Sequence, residues 1–236
     1  MPRIVELNIE LTLTMAIREL SLGHSDRERQ LLTLLKDSIT FSAEFIINNN
    51  LQKCRSVKML IDDDDPYFLG MRFFNESDID GCLTLLKNNA RSTANTRTVK
   101  STGLYRAHKL LHLLSKQEDK RLRSFDVVKD IDEDFFKIYL RPMFENRSLW
   151  ESRNLIKPGI GIYRYLDSTD SVVYIGKGNV RDRANAQTRS DWGITEIQYS
   201  ILKADEECFK WEAFYLEEFV KATGSLPAFN RIKGVS

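Results

Sequence analysis

Cysteine is scarce and unpaired in this sequence: Cys54, Cys82 and Cys208 are the only three, and no two stand in a Cys-x-x-Cys spacing. That argues against a thiolate zinc site and for reduced thiols in an intracellular, cytoplasmic protein. Long apolar runs are missing too. No stretch approaches the roughly 18 residues that a membrane span needs. Met1 to Glu10 mixes charged with apolar residues and has neither an h-region nor a cleavage site, so no secretory signal is expected. A surplus of one charge is also absent: Lys plus Arg number 35 and Asp plus Glu 34, for a net charge of +1. Residues 155–236 hold 11 basic and 11 acidic side chains. Any nucleic-acid affinity must therefore come from where charge is placed, not from its amount. Internal repeats and low-complexity segments are not seen.

What is present is an ordinary globular composition, 42% hydrophobic and 29% charged over 236 residues, enough for one large domain or two modest ones. The chain divides near Ser152 to Pro158, where Ser-Arg-Asn and Lys-Pro-Gly interrupt a helical pattern and a strand pattern follows. Residues 1–152 and 153–236 are the two expected domains. Upstream, Ser25-Asp26-Arg27-Glu28 resembles a capping box, and Leu31, Leu32, Leu34, Leu35, Ile39, Phe41, Phe45 and Ile46 recur at helical spacing. Val57 to Ile61 and Tyr67 to Phe74 read as strands around the turn Asp62-Asp63-Asp64-Asp65-Pro66. Ser77 to Lys87, Tyr105 to Lys116 and Glu133 to Phe144 read as helices. The expected N-terminal region is thus mostly helical, with a role in DNA binding or oligomerisation.

One stretch there bears on partners. Lys87, Arg91, Arg97, Lys100, Arg106, Lys109 and Lys116 follow one another with no acidic residue among them, and Asn88 to Gly103 is rich in Ser, Thr and Asn. Arg91, Arg97, Lys100, Arg106 and Lys109 are candidates for gripping DNA phosphates. The competing reading is a solvated loop balanced by the acidic turn at Asp62 to Asp65. His108 and His112 have the i, i+4 spacing of a metal pair, but no third ligand accompanies them, so no metal is assigned there.

The C-terminal third carries more. Gly161 to Leu166 is a short strand, Asp167 to Asp170 a polar turn, and Val172 to Ile175 a second strand, which makes a hairpin. Gly176-Lys177-Gly178-Asn179 ends it, and a helix with Arg181 and Arg183 follows. Ile194 to Leu202 alternates as a third strand. Asp205 opens a helix whose Phe209, Ala213, Leu216 and Val220 fall on one face, and the chain closes on Leu226-Pro227-Ala228-Phe229-Asn230.

Gly161-Ile162-Tyr163, followed eleven residues after Tyr163 by Tyr174-Ile175-Gly176, resembles the signature of the GIY-YIG nuclease superfamily. Arg183, then Ala213-x-x-Leu216-Glu217-x-x-Val220, then Pro227-x-Phe229-Asn230, come in that family's order. The resemblance covers about residues 159–232 and implies an α+β fold, a three-stranded antiparallel sheet flanked by helices. It implies phosphodiester hydrolysis with one divalent ion, Mg²⁺ or Mn²⁺, held by a helix glutamate. Glu217 fits the Leu-Glu-x-x-Val pattern; counting back from Asn230 points to Glu218 instead. Arg183 would hold the scissile phosphate through its planar fork. Tyr163 and Tyr174 would lie side by side, one of them the general base, and the resemblance does not say which. A free tyrosine titrates near 10, so that role calls for neighbouring cations such as Lys177 and Arg181, or metal-bound water. Asn230 completes the implied catalytic set.

The sequence departs from the family where many members carry His or Tyr four residues after the arginine; here stands Gln187, which cannot transfer a proton. Because the motif set comes last in the chain and ends Pro-Ala-Phe-Asn-Arg, a restriction-type enzyme cutting both strands of DNA at a specific sequence is favoured. One site per chain then implies a homodimer or higher oligomer. A repair or structure-specific nuclease and a catalytically impaired DNA-binding protein are the alternatives.

Overall fold

A computed structural model describes residues 29–87, 95–130, 132–186 and 191–230. The chain enters through β1 (Leu31–Leu34), β2 (Ser38–Phe41), the short helix α1 (Ala43–Asn48), β3 (Ser56–Asp62) and β4 (Asp65–Phe74). Two-residue strands β5 (Leu83–Thr84) and β6 (Leu86–Lys87) follow, then β7 (Arg97–Lys100), α2 (Thr102–Ala107) and α3 (Lys109–Ser115). The upstream region closes with β8 (Ser124–Asp126), β9 (Val128–Asp130) and β10 (Phe135–Tyr139). After these come β11 (Asn146–Leu149), β12 (Ile160–Asp167), β13 (Val172–Asn179), α4 (Val180–Ala184), β14 (Ile194–Ile201) and α5 (Asp205–Thr223). No described helix is long and apolar enough to cross a membrane.

These strands form three antiparallel sheets, ordered β6-β7-β2-β1-β8, β5-β3-β4-β10-β9 and β11-β14-β12-β13. A mostly helical N-terminal domain is therefore wrong: that region is two five-stranded sheets with three short α-helices and a 3-10 turn, Lys120–Arg123, among its described residues. The physical reason is visible in β1, where Leu31, Leu32, Thr33 and Leu34 are all buried. A strand covered on both faces reads as a continuous apolar run, and such a run imitates helical periodicity. Only Ala43–Asn48 of that run is helical, started by the Ser42 hydroxyl accepting from the Phe45 N–H. Expected helices at Ser77 to Lys87 and Glu133 to Phe144 are likewise strands with turns; in β10 the buried residues are Phe136 and Ile138, a period of two. The helix over Tyr105 to Lys116 exists but breaks at His108, which ends α2 and caps α3. The strands at Val57 and Tyr67 form as expected. The capping box at Ser25 to Glu28 lies outside the described residues.

The first two sheets meet through aromatic side chains. Phe41 of β2 meets Phe73 of β4 edge-on at 5.3 Å, and Phe45 of α1 meets Phe136 of β10 at 4.9 Å. This core continues into the C-terminal region: Ile162, Ile175 and Leu202 from the third sheet and Cys208, Trp211, Tyr215, Leu216 and Phe219 from α5 belong to it. Phe144 packs on Tyr215 at 4.6 Å, and the Tyr215 hydroxyl donates to the Pro142 carbonyl. Glu145 is the polar hinge of this joint. Its carboxylate accepts from the Tyr67 hydroxyl at 2.8 Å, the Ser200 hydroxyl at 2.8 Å and the Met143 N–H at 3.1 Å. Burial, and then the Glu145 charge, push the Tyr67 phenol well above the usual tyrosine range.

The third sheet has four strands, not the expected three. Asn146 to Leu149 pair with β14 in the register Asn146↔Tyr199 to Leu149↔Glu196. Asn-Arg-Ser-Leu lacks the alternation that marks a half-buried strand, so this edge strand carries no sequence signal. It also lies upstream of Ser152, so the sheet reaches across the break in the sequence pattern.

Candidate active site

The hairpin β12–β13 forms with Tyr163 opposite Gly176 and Tyr165 opposite Tyr174. Alternation then puts all three tyrosines on one face of the sheet, and their rings stack: 5.1 Å between Tyr163 and Tyr165, 5.5 Å between Tyr165 and Tyr174, 6.0 Å between Tyr163 and Tyr174. Val180 and Ala184 of α4, with Ile156, Val173, Ile194 and Ile197, bury the stack. Trp192 and Phe229, parallel to within 9° at 4.3 Å, close one side against Tyr174.

Gly176 is the reason that the two phenols can converge. A Cβ there would stand 2.5 Å from the Tyr174 ring, 2.9 Å from the Tyr163 hydroxyl and 2.9 Å from the Tyr174 hydroxyl. Both hydroxyls thus occupy the space that any other residue would fill. Two residues on, Gly178 holds φ +117°, a backbone state that L side chains rarely adopt. Over its bare Cα lies Arg183, whose Nε would be 3.1 Å from a Cβ at that position. Asn179 starts α4 by accepting from the Asp182 N–H at 3.3 Å, which brings Arg183 back across β13. Tyr163, Tyr174 and Arg183 are therefore assembled on one face. Tyr163 is 1% exposed, whereas Tyr174 is half-buried and Arg183 exposed. Arg181 is exposed on the same helix.

Asn230 serves the backbone of this site. Its Oδ1 accepts from the Ile175 N–H at 2.8 Å and its Nδ2 donates to the Ile175 carbonyl at 2.6 Å, while Phe229 N–H donates to Val173 O at 2.9 Å. β13 is an edge strand, and the Pro227–Asn230 segment pairs with it where another strand would. Asn230 so holds the residue between Tyr174 and Gly176.

The helix carboxylates lie elsewhere. α5 packs on the opposite face through Cys208, Trp211, Tyr215, Leu216 and Phe219, whereas Ala213 is exposed and Phe209 is 60% exposed. Of the expected apolar face of Phe209, Ala213, Leu216 and Val220, Leu216 packs against the core while Phe209 and Ala213 stay outside it. Glu217 is exposed and pairs with Lys221 at 2.9 Å; Glu218 pairs with the same lysine at 3.0 Å. Lys177 also points to the far face, where its Nζ is 3.0 Å from Glu212 and 3.9 Å from the centre of the Phe209 ring. Glu212 is the α5 carboxylate that reaches the hairpin, and the motif reading missed it. Its signal is the i, i+4 spacing from Cys208 and to Leu216, which sets it on the packed stripe of the helix.

A divalent cation held by α5 would need a carboxylate available on the tyrosine face. Glu212 and Glu217 are each neutralised by a lysine, on the other side of the sheet from Tyr163 and Tyr174. As they stand, these carboxylates do not fit such an ion. No group of three or more His, Cys, Asp or Glu that could hold a metal occurs among the described residues. No family model, curated protein or solved structure matches the chain.

The candidate DNA-gripping residues fare unevenly. Arg97 is 4% exposed, and its guanidinium donates to the carbonyls of Gln52 at 2.9 Å, Asn95 at 3.1 Å and Thr96 at 3.2 Å. Lys100, Arg106 and Lys109 are exposed, and the Lys109 ammonium donates to the Glu145 carbonyl. Arg91 and Gln187 lie outside the described residues.

Proposed function

We propose that this chain is a DNA endonuclease that hydrolyses phosphodiester bonds at the Tyr163, Tyr174 and Arg183 cluster, as a nuclease of the GIY-YIG kind that its motif order resembles. The observation that carries the reading is the convergence of two phenol oxygens over Gly176 beside a guanidinium over Gly178. Arg183, exposed on a short helix, can offer its fork to two phosphate oxygens and stabilise the charge that grows on them. Tyr174 is the phenol with solvent access, so it is assigned the proton-accepting role, with Tyr163 positioning it from below. Deprotonated, it takes a proton from water; the hydroxide adds to phosphorus and the bridging P–O bond breaks, the departing oxygen being protonated by solvent. No step is routed through a metal ion.

The finer reading is a restriction-type enzyme that cuts duplex DNA at a specific sequence as a homodimer, inside the cell. Mg²⁺ or Mn²⁺ dependence, taken from the resemblance, is decided by experiment. A second reading has its own support in the Lys177–Glu212 and Lys221–Glu217 pairs: a protein that keeps the sheet and binds DNA without cutting it.

Incubation with long genomic DNA, in Mg²⁺, Mn²⁺ or EDTA, separates these. The nuclease reading expects discrete fragments, lost by about a hundredfold or more in Tyr174→Phe and Arg183→Ala, the usual scale for a lost acid–base or charge-stabilising group. Nicks confined to junctions or lesions would favour the structure-specific alternative. Intact DNA in every metal, with binding retained, would reject catalysis.

A further inference from the structure

The edges of the two five-stranded sheets meet at a cleft of about 540 Å³, built from the loop at Gln52 to Arg55 ahead of β3, Asn75 after β4, Leu85 between β5 and β6, Lys87 of β6 and Arg97 of β7. It shares no residue with the tyrosine site. Four of its lining side chains are cationic: Lys53, Arg55, Lys87 and Arg97. In a chain with a net charge of only +1, this is charge placed rather than charge in bulk.

The cations stand on fixed backbone. The Arg55 N–H donates to Phe74 O at 2.8 Å, and its carbonyl accepts from the Leu85 N–H at 2.8 Å, so strands hold it from both sides. Arg97, buried at the floor, ties the loop carrying Lys53 to β7 through the Gln52 carbonyl at 2.9 Å. Lys53, Arg55 and Lys87 remain exposed around the mouth. A site for one small anion buries its donors and points them inward. Exposed cations spread along the mouth of an open cleft suit a chain of phosphates instead.

We infer that this seam binds the phosphate backbone of duplex DNA, as a second contact separate from the Tyr174 and Arg183 cluster. The inference rests on reading the chain as a DNA-acting protein, and it supplies the grip that the neutral C-terminal region lacks. Cys54 lines the same cleft, its Sγ 3.5 Å from Asn75 Oδ1, and serves as a reporter of occupancy.

The test is binding, not cleavage: fluorescence anisotropy of a short labelled duplex in EDTA across a salt series, with alkylation of Cys54 followed by mass spectrometry. The double variant Lys53→Glu with Arg55→Glu should weaken binding about tenfold or more and flatten the log affinity against log salt slope by about 1.8, at about 0.9 for each phosphate no longer neutralised. A double reversal at exposed Lys36 and Lys210 should leave both nearly unchanged, and duplex should shield Cys54 in the wild-type protein. Equal losses in the two double variants, unaltered binding in the cleft variant, or no binding at low salt would overturn the inference. So would shielding of Cys54 by inorganic phosphate as complete as by duplex, which would mark a small-anion site. Because the readout is binding rather than cleavage, a protein that fails as a nuclease but binds through the seam loses only the proposed catalysis.

Discussion

Asn230 grips Ile175 twice, its Oδ1 taking the N–H at 2.8 Å and its Nδ2 giving to the carbonyl at 2.6 Å. One side chain thereby does the pairing of a strand residue on the open edge of β13. Asn230→Ala leaves both Ile175 groups without a protein partner and should cost about 1–3 kcal/mol, read as a lower denaturant midpoint. Asn230→Asp keeps the acceptor and sets a carboxylate against a carbonyl, so it should cost no less. Amide exchange at Ile175 should quicken in both. Unchanged exchange would show that the Pro227–Asn230 segment, not the amide, guards the edge.

Gly176→Ala should empty the site of its geometry. The new methyl meets a ring carbon at 2.5 Å and two hydroxyls at 2.9 Å, so the phenols must part. Overpacking of this kind costs about 1–3 kcal/mol of stability, and any DNA cleavage should fall by about a hundredfold. Gly103→Ala is the matched control: nothing lies within 4 Å of its Cβ, and it sits in α2, where alanine is favoured by up to about 1 kcal/mol. Wild-type cleavage rates in Gly176→Ala would refute the convergence.

Glu212 and Glu217 of α5 should behave differently. Glu217 is exposed, so Glu217→Ala should change stability by no more than about 0.5 kcal/mol. Glu212 and Lys177 are each about a quarter exposed, and a double-mutant cycle between them should give a coupling of about 0.5–1 kcal/mol. Zero coupling would mean that the pair is incidental. Loss of metal-dependent cleavage in Glu217→Ala at unchanged stability would restore that residue to the role that the motif implies.

His108 should make the fold acid-sensitive. Its Nδ1 accepts from the Leu111 N–H at 3.4 Å, which only the neutral ring can do, and burial holds its pKa below 6.5. The unfolded chain therefore binds the proton more readily than the folded one, so stability is full above about pH 6.5 and falls as pH drops through the folded value. Thermal melts from pH 8 to 5 should show this fall, and His108→Asn, which caps without titrating, should flatten it. An identical slope in the variant would assign the sensitivity elsewhere.

What the sequence disclosed follows from where periodicity survives. The hairpin of Tyr163 and Tyr174 was legible because a polar turn joins its two strands and glycines punctuate its end. Leu31 to Leu34 was misread because an apolar run buried throughout loses the contrast between inside and outside. In Phe135 to Tyr139 burial does alternate, but the less buried side carries the aromatic residues Phe135 and Tyr139, which hides the period of two. Asn146 to Leu149 has no apolar pattern, since an edge strand is held by backbone pairing. Glu212 and Arg97 show the other limit: each is a charged residue turned inward with a partner far along the chain, Lys177 for the first and, beside two local carbonyls, the Gln52 carbonyl for the second. Neither partner can be found by spacing.

The joint at Glu145 has a consequence for how the protein comes apart. Tyr67 lies on one side of it and Ser200 on the other, and the aromatic row of α5 is roofed by the upstream sheets. A chain severed within Trp150–Leu155 would yield two pieces, each with a raw apolar flank shaped to the other. Such pieces should be insoluble apart yet reassemble when co-expressed, so the C-terminal half is one partner of a split protein rather than a module that folds when transplanted alone.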